Sequence, residues 1–267
     1  REPLVKKVLE WTPSYHASHI TGVTSAYDGS EIEGDFYTVP LFPQQITGLD
    51  RQLVLGRIID ACKLAEADGA QIVGLGGYTS VVGSAGLTVA KEMDIAVTSG
   101  NSYTVATAVE GATKACELLG LDPTQATVAV VGATGSIGSV CSKILAKRGV
   151  GTLILLGRSE QRLANIAEDI HSLYPQTNIE ISIDMGANIR RSDLVVSCTS
   201  SGGDILQPNI FKPGSVICDV AVPHDVCREV AQLRPDVLVI EGGVCVAPGK
   251  DPKFNFDFGF PEGICLA

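Results

Sequence analysis

The chain has 267 residues and a formal net charge of -10, with a sequence pI near 4.8, a balance that argues against a nucleic-acid surface. At 45% hydrophobic and 19% charged residues it has an ordinary globular composition, enough for one large domain or two modest ones. No apolar run approaches the ~20 residues of a membrane span, the opening REPLVKKVLEW lacks a signal-peptide core, and the eight scattered cysteines form no CxxC or Cys/His cluster, so a reduced, cytoplasmic protein is expected.

After a short polar opening, residues 19–26 and 31–39 read as two strands joined by a turn at Asp28-Gly29. Residues 49–67 read as a helix, with Leu55, Ile58, Ile59, Cys62 and Ala65 near 3.6-residue spacing. A short strand at 71–75, a helix at 82–91, a strand at 95–98 and a long helix at 104–119 follow. Gly120 ends that helix and Pro123 prevents its continuation, which places a domain boundary there. Alternation then resumes: strands at 127–131, 152–156, 179–183, 194–197, 215–219 and 237–240, and helices at 136–147 and 160–172. The pattern predicts an α/β protein: a doubly wound, Rossmann-type parallel sheet over residues 123–246, a second α/β domain over 1–122, and a C-terminal segment, 247–267, returning to the first domain.

The stretch GATGSIG follows a strand and opens a helix within a βαβ unit, the context that makes such a motif informative. Gly132 permits the tight turn, Gly135 leaves room for a pyrophosphate, and Gly138 lets helix and strand pack closely. Thr134, Ser136 and Ile137 complete the loop, whose free N–H groups suit an anion. The next strand ends LILLGRSEQR, with Gly157 where an NAD-specific site would carry an acid. Arg158, Ser159 and Arg162 instead suit a 2′-phosphate, so NADP is the expected cofactor. Thr199, Ser200, Ala221, Val222 and Gly243 follow later strands and are candidates for the nicotinamide end.

Two loops of the first domain, GLGGYTS and TSGNSYT, also pass from strand to helix. Their N–H groups and hydroxyls, with Ser99 and Asn101 foremost, suit a carbonyl oxygen on which charge develops. Gly76, Gly77, Tyr78, Thr79, Ser102 and Tyr103 are the accompanying substrate-binding candidates. His16, His19, His171 and His224 are not spaced as metal ligands, and no metal is expected. His224, in the VPHD loop, is within range of a nicotinamide, but reads as a surface-loop histidine.

The phrases LGGYTS, TSGNSYTVATAVEGATKACELLGL, ATVAVVGATGSIGS, LLGRS and IEGGV, within residues 20–243, together resemble the long-chain acyl-acyl-carrier-protein reductases of cyanobacteria. Their relatives include amino-acid dehydrogenases of the shikimate-dehydrogenase-like superfamily. The phrase CDVAVPHD is also similar to a loop of glutamyl-tRNA reductase, another thioester-to-aldehyde enzyme. The resemblance implies an NADPH-dependent reductase that converts a fatty acyl thioester to a fatty aldehyde through an acyl-cysteine. Acyl carrier protein or coenzyme A would carry the acyl group. It places Gly132, Gly135 and Gly138 at the pyrophosphate, Arg158 near the 2′-phosphate, and the Gly76-Gly77 and 99–104 loops near the acyl group. It also implies a nucleophilic cysteine after the dinucleotide domain, which alignment puts just past Ala267; Cys265, then Cys245, are the candidates within the chain. An acidic carrier would need a basic patch, for which Lys143, Lys147 and Arg148, or Arg190 and Arg191, are available. Two alternatives stay open: a dehydrogenase of a small amino, hydroxy or keto acid, for which Lys91, Asp94 and Lys114 fit no signature, and a non-catalytic NADP-binding protein. Oligomerisation is left open.

Overall fold

The computed structural model describes residues 2–201, 203–257, 261 and 263–266. Its contacts define two compact units: Arg1–Gly100 with Cys245–Cys265, and Asn101–Val244 with the last two residues.

The first unit opens with α1 (Glu2–Trp11), where the sequence suggested only a polar lead-in. Strands β1 (Tyr15–Thr24) and β2 (Glu31–Thr38) form an antiparallel hairpin that begins earlier than its alternation suggests. Its register sets His16 and His19 beside Asp35, whose Oδ1 is hydrogen-bonded to His16 Nε2 at 2.7 Å and His19 Nδ1 at 2.8 Å. After α2 (Pro43–Gly48), α3 (Arg51–Ala67) starts at Asp50, whose carboxylate accepts from the Gln52 and Leu53 N–H groups at 3.0 Å each. The unit continues through β3 (Ile72–Gly74), α4 (Thr79–Val82), α5 (Leu87–Ala90) and β4 (Ala96–Thr98), with β3 and β4 parallel. The expected single helix at 82–91 is broken, because Ser84, Ala85 and Gly86 take left-handed φ values of 55°, 56° and 90°. Arg51 holds the break by donating to Val82 O at 3.1 Å and Ser84 Oγ at 3.3 Å. A small core of Ile46, Val54, Ile58, Cys62, Leu75, Val82 and Val89 joins these pieces.

The second unit contains α6 (Asn101–Leu118), β5 (Thr127–Val131), α7 (Ser136–Lys147), β6 (Thr152–Leu156), α8 (Glu160–Leu173) and β7 (Asn178–Ser182). It continues through α9 (Met185–Ile189), β8 (Leu194–Ser197), β9 (Val216–Asp219), α10 (Val230–Leu233) and β10 (Leu238–Glu241). Its six strands are all parallel, in the order β7-β6-β5-β8-β9-β10. The order reverses between β5 and β8, the switch point where a doubly wound sheet opens a ligand crevice. Period-two alternation sends Val128 and Val130 into one core layer and Ala129 and Val131 into another. Coverage of both faces explains the continuous apolar runs of β8 and β9, buried throughout.

The units part at Gly100–Asn101, not at the expected 122/123. The reason is packing: Val105, Ala108, Val109, Ala112, Ala115 and Cys116 of α6 share one core with Val128, Val130 and Cys141. Gly120 and Pro123 end a helix without ending the unit.

Past β10, the chain forms β11 (Val244–Val246), which pairs with β12 (Ile264–Leu266). Between them, Lys253 exchanges backbone hydrogen bonds of 2.8 and 3.0 Å with Thr21 of the hairpin. Among the described residues, no helix is long and apolar enough to cross a membrane.

Candidate active site

The loop between β5 and α7 is built by backbone proximity. Gly132 has φ +82°, and its N–H and that of Ala133 both donate to Leu156 O at 3.0 Å. Gly132 O in turn accepts from Gly135 N at 2.9 Å. A Cβ on Gly138 would stand 2.2 Å from Gly132 O, so the first turn of α7 lies against the loop as only glycine allows. Gly135 and Ser136 are exposed at the helix start, while Ile137 packs on the core. The cradle presents open N–H groups beside a tight backbone crossing, the fit that a dinucleotide pyrophosphate requires.

At the end of β6, Gly157 comes close to the loop: a Cβ there would lie 3.6 Å from Thr134 Cγ2. Arg162 donates from Nη2 to Thr134 O at 3.0 Å, pinning the loop, and Ser159 caps α8 by accepting from Arg162 N at 3.4 Å. Arg158 is exposed, with no hydrogen bond or ion pair among the described residues.

Asn101 donates from Nδ2 to Ser136 Oγ at 3.1 Å, so the start of α6 meets the start of α7. Farther along the crevice, Gly243 has φ +80°, and its Cβ position would be 2.8 Å from Thr104 Cγ2. Ser102 and Tyr103 are exposed in the first turn of α6. Ser99 and the loop of Gly76, Gly77, Tyr78 and Thr79 belong to the first unit. There Gly77 has φ +58°, and Thr79 Oγ1 donates to Gly76 O at 2.6 Å. Burial raises the Tyr78 phenol above its ordinary range.

The loops after β8 and β9 are organised by two carboxylates that sequence reasoning missed. Asp225 is fully buried and accepts from Ser197 Oγ at 2.7 Å, Thr199 N at 3.0 Å and Thr199 Oγ1 at 2.5 Å. Asp219 is 3% exposed and accepts from Ala221 N at 3.1 Å and Val226 N at 2.8 Å. Burial pushes its carboxyl above the usual range, against the pull of those two N–H groups. Ser200 and Val222 are exposed between these anchors. The available signal was Asp219 closing the apolar run of β9, with Asp225 six residues on, in ICDVAVPHD.

Cys265 is half-buried, with its Sγ 3.6 Å from Cys245 Sγ. Burial, then the hydrogen bond to Cys245, pushes its thiol up, the opposite of activation. Burial likewise holds the Cys198 thiol well above its ordinary range. Of the basic residues considered for a carrier, Lys143 pairs with Asp169 at 3.6 Å, Arg191 pairs with Glu180, and Arg148 donates to Thr113 Oγ1 at 2.5 Å. Among the described residues no group of three or more His, Cys, Asp or Glu is arranged to hold a metal ion.

Sheet order, switch point and glycine cradle together define an NAD(P)-binding, oxidoreductase-like fold. Residues 112–240 match the shikimate / quinate 5-dehydrogenase family model. The chain is 33% identical over 230 residues to the aminotransferase PigE of Serratia sp., matching 84% of this chain and 26% of that protein. It is 30% identical over 233 residues to the long-chain acyl-[acyl-carrier-protein] reductase of Synechococcus elongatus, matching 83% of this chain and 65% of that one. The chain thus spans less than two thirds of either relative's length. The glutamyl-tRNA reductase structure from Methanopyrus kandleri superposes with a TM-score of 0.42 at 22% identity, covering 74% of this chain and 50% of that one.

Proposed function

We propose that this chain is an NADPH-dependent reductase of a fatty acyl thioester, carried on acyl carrier protein or coenzyme A, yielding a fatty aldehyde. The observation that carries the reading is extent: similarity to the acyl-[acyl-carrier-protein] reductase covers 83% of the chain, well beyond the dinucleotide segment. The Gly132–Gly138 loop and the start of α7 hold the pyrophosphate, with Thr134, Ser136 and Ile137 in the cradle. Arg158 grips the 2′-phosphate, flanked by Ser159 and Arg162. Thr199, Ser200, Ala221, Val222 and Gly243 line the nicotinamide half. When bound, the nicotinamide supplies hydride. Ser99 and Asn101 are assigned to the carbonyl oxygen, and Gly76, Gly77, Tyr78, Thr79, Ser102 and Tyr103 to the acyl group. Lys147, Arg148 and Arg190 are exposed and available to an acidic carrier.

Arg158→Ala is expected to weaken NADPH binding roughly tenfold or more, since a charge-assisted hydrogen bond contributes about 1.5–3 kcal/mol. NADH binding should stay unchanged. Fluorescence titration with both cofactors checks this, and equal weakening of the two refutes the 2′-phosphate role.

Covalent chemistry is tested by mass. Given an acyl thioester without NADPH, the protein should gain one acyl group on a cysteine, and NADPH should remove it as aldehyde. Cys265 is the candidate within the chain, and its raised thiol predicts slow acylation at neutral pH. Undiminished aldehyde formation by the Cys245→Ser, Cys265→Ser double variant would exclude both thiols and sink the acyl-cysteine route as drawn. Reduction of small keto acids but of neither thioester would favour the dehydrogenase alternative.

A further inference from the structure

Two thiols twenty residues apart in the chain meet across β11 and β12. Ala247 N donates to Gly263 O at 2.9 Å, and two residues outward on each strand Cys245 Sγ lies 3.6 Å from Cys265 Sγ. Side chains two positions apart on a strand share a face, so the backbone bond itself helps to set the two sulfurs opposite each other. Paired antiparallel strands hold opposed Cα atoms about 4.5–5.5 Å apart, within the span of about 4.4–6.8 Å that a disulfide bridges. Both cysteines are half-buried, within reach of a small oxidant. Of the other six, five are buried, and Cys198 Sγ donates to Val131 O at 3.2 Å.

The residues between the two cysteines are fastened to the β1–β2 hairpin. Besides the exchange between Lys253 and Thr21, Thr24 N donates to Pro248 O at 3.0 Å, and Asn255 Nδ2 donates to His19 O at 3.0 Å. The Phe36 ring lies against those of Phe254 and Phe256, with centroids 6.5 and 5.5 Å away. Gly22 and Gly249 interlock: a Cβ on Gly249 would stand 2.1 Å from Gly22 O, and one on Gly22 would stand 2.3 Å from Asp251 O. The segment therefore fits the hairpin closely along its length, and the two thiols sit where its ends come together.

We propose that Cys245 and Cys265 form a reversible disulfide site that locks this segment onto the hairpin when the protein is oxidised by a hydroperoxide. With hydrogen peroxide, one thiolate attacks a peroxide oxygen, the O–O bond breaks and hydroxide leaves, giving a sulfenic acid. The second thiolate attacks that sulfur, the S–O bond breaks and hydroxide leaves again. The two thiols lose two electrons and two protons, and one peroxide becomes two waters. A reducing thiol restores the pair by exchange. Burial and the neighbouring sulfur push the Cys265 thiol up to about 11, so oxidation needs excess peroxide. The oxidised pair has no thiol left to accept an acyl group, yet the bond forms whichever substrate the chain reduces.

The test is a peptide map. The protein is treated with excess hydrogen peroxide, blocked with N-ethylmaleimide and digested by trypsin without reductant. Cuts after Arg228, Lys250 and Lys253 place Cys245 and Cys265 on separate peptides. Those two peptides should appear linked, two hydrogens lighter than their sum, and dithiothreitol should part them. The oxidised protein should also melt roughly 5 °C or more above the reduced one, because a closed loop restrains the unfolded chain. Cys245→Ser should show neither the link nor the shift. The map of the parent protein needs no variant, so a misfolded Cys245→Ser protein leaves the test intact. A link from either thiol to another cysteine or to a second molecule, oxidation to sulfinic acid without a link, or an unraised melting temperature would overturn the proposal.

Discussion

Gly138→Ala is expected to abolish dinucleotide binding and lower the melting temperature. The added methyl would sit 2.2 Å from Gly132 O, 2.8 Å from Gly132 C and 3.0 Å from Ala133 Cα, and all three are backbone atoms. Gly132 cannot retreat, since it is tied to Leu156 O by its N–H and to Gly135 N by its carbonyl. On its other side a Cβ position would already lie 2.9 Å from Cys198 O. The methyl is therefore accommodated only if α7 lifts from β5, which opens the loop proposed to hold the pyrophosphate. Overpacking of this kind costs about 1–3 kcal/mol. Gly48→Ala is the control, because nothing lies within 4 Å of its Cβ position. A folded Gly138→Ala protein that binds NADPH normally would show that the loop does not hold the cofactor.

The second large effect is expected at Asp225. Its fully buried carboxylate accepts three hydrogen bonds, and one donor is the backbone N–H of Thr199. Asparagine keeps the shape but replaces one acceptor oxygen with a donor. The hydroxyls of Ser197 and Thr199 can rotate to accept; the Thr199 N–H cannot. With the amide in the other orientation, the hydroxyls lose their charged acceptor. Leaving a buried polar group unsatisfied costs about 1–3 kcal/mol. Asp225→Asn should therefore lower the unfolding free energy by that amount in urea titrations, and weaken cofactor binding through the loosened loop after β8. Ser197→Ala, which removes one donor and leaves the other two bonds, should cost less. Equal stability of Asp225→Asn and the parent would mean that the carboxylate does not organise these loops.

The dinucleotide unit was largely legible because its signals are local. β5, α7, β6 and β8 fall at the residues their apolar runs and glycine spacing indicate. A strand buried on both faces needs an unbroken apolar run, and a tight strand-to-helix turn needs glycine, so both constraints appear within a few consecutive residues. The first unit was harder to read. Its strands β3 and β4 have only three residues each, and the break at Ser84–Gly86 depends on Arg51, more than thirty residues away in the chain.

Sequence alone determined the alternation of strands and helices, and the glycine loop with Gly157 and then Arg158 at the end of the next strand, since each depends on residues close together in the chain. Tertiary structure alone decided that α6 belongs with the dinucleotide sheet, that Asn101 meets Ser136, that Asp225 binds Ser197 and Thr199, and that His224 stands between Asp219 and Glu241. Those pairings join strand ends and helix starts separated by many residues. Chain order does not carry them; they arise because parallel strands packed side by side bring their carboxyl ends to one edge.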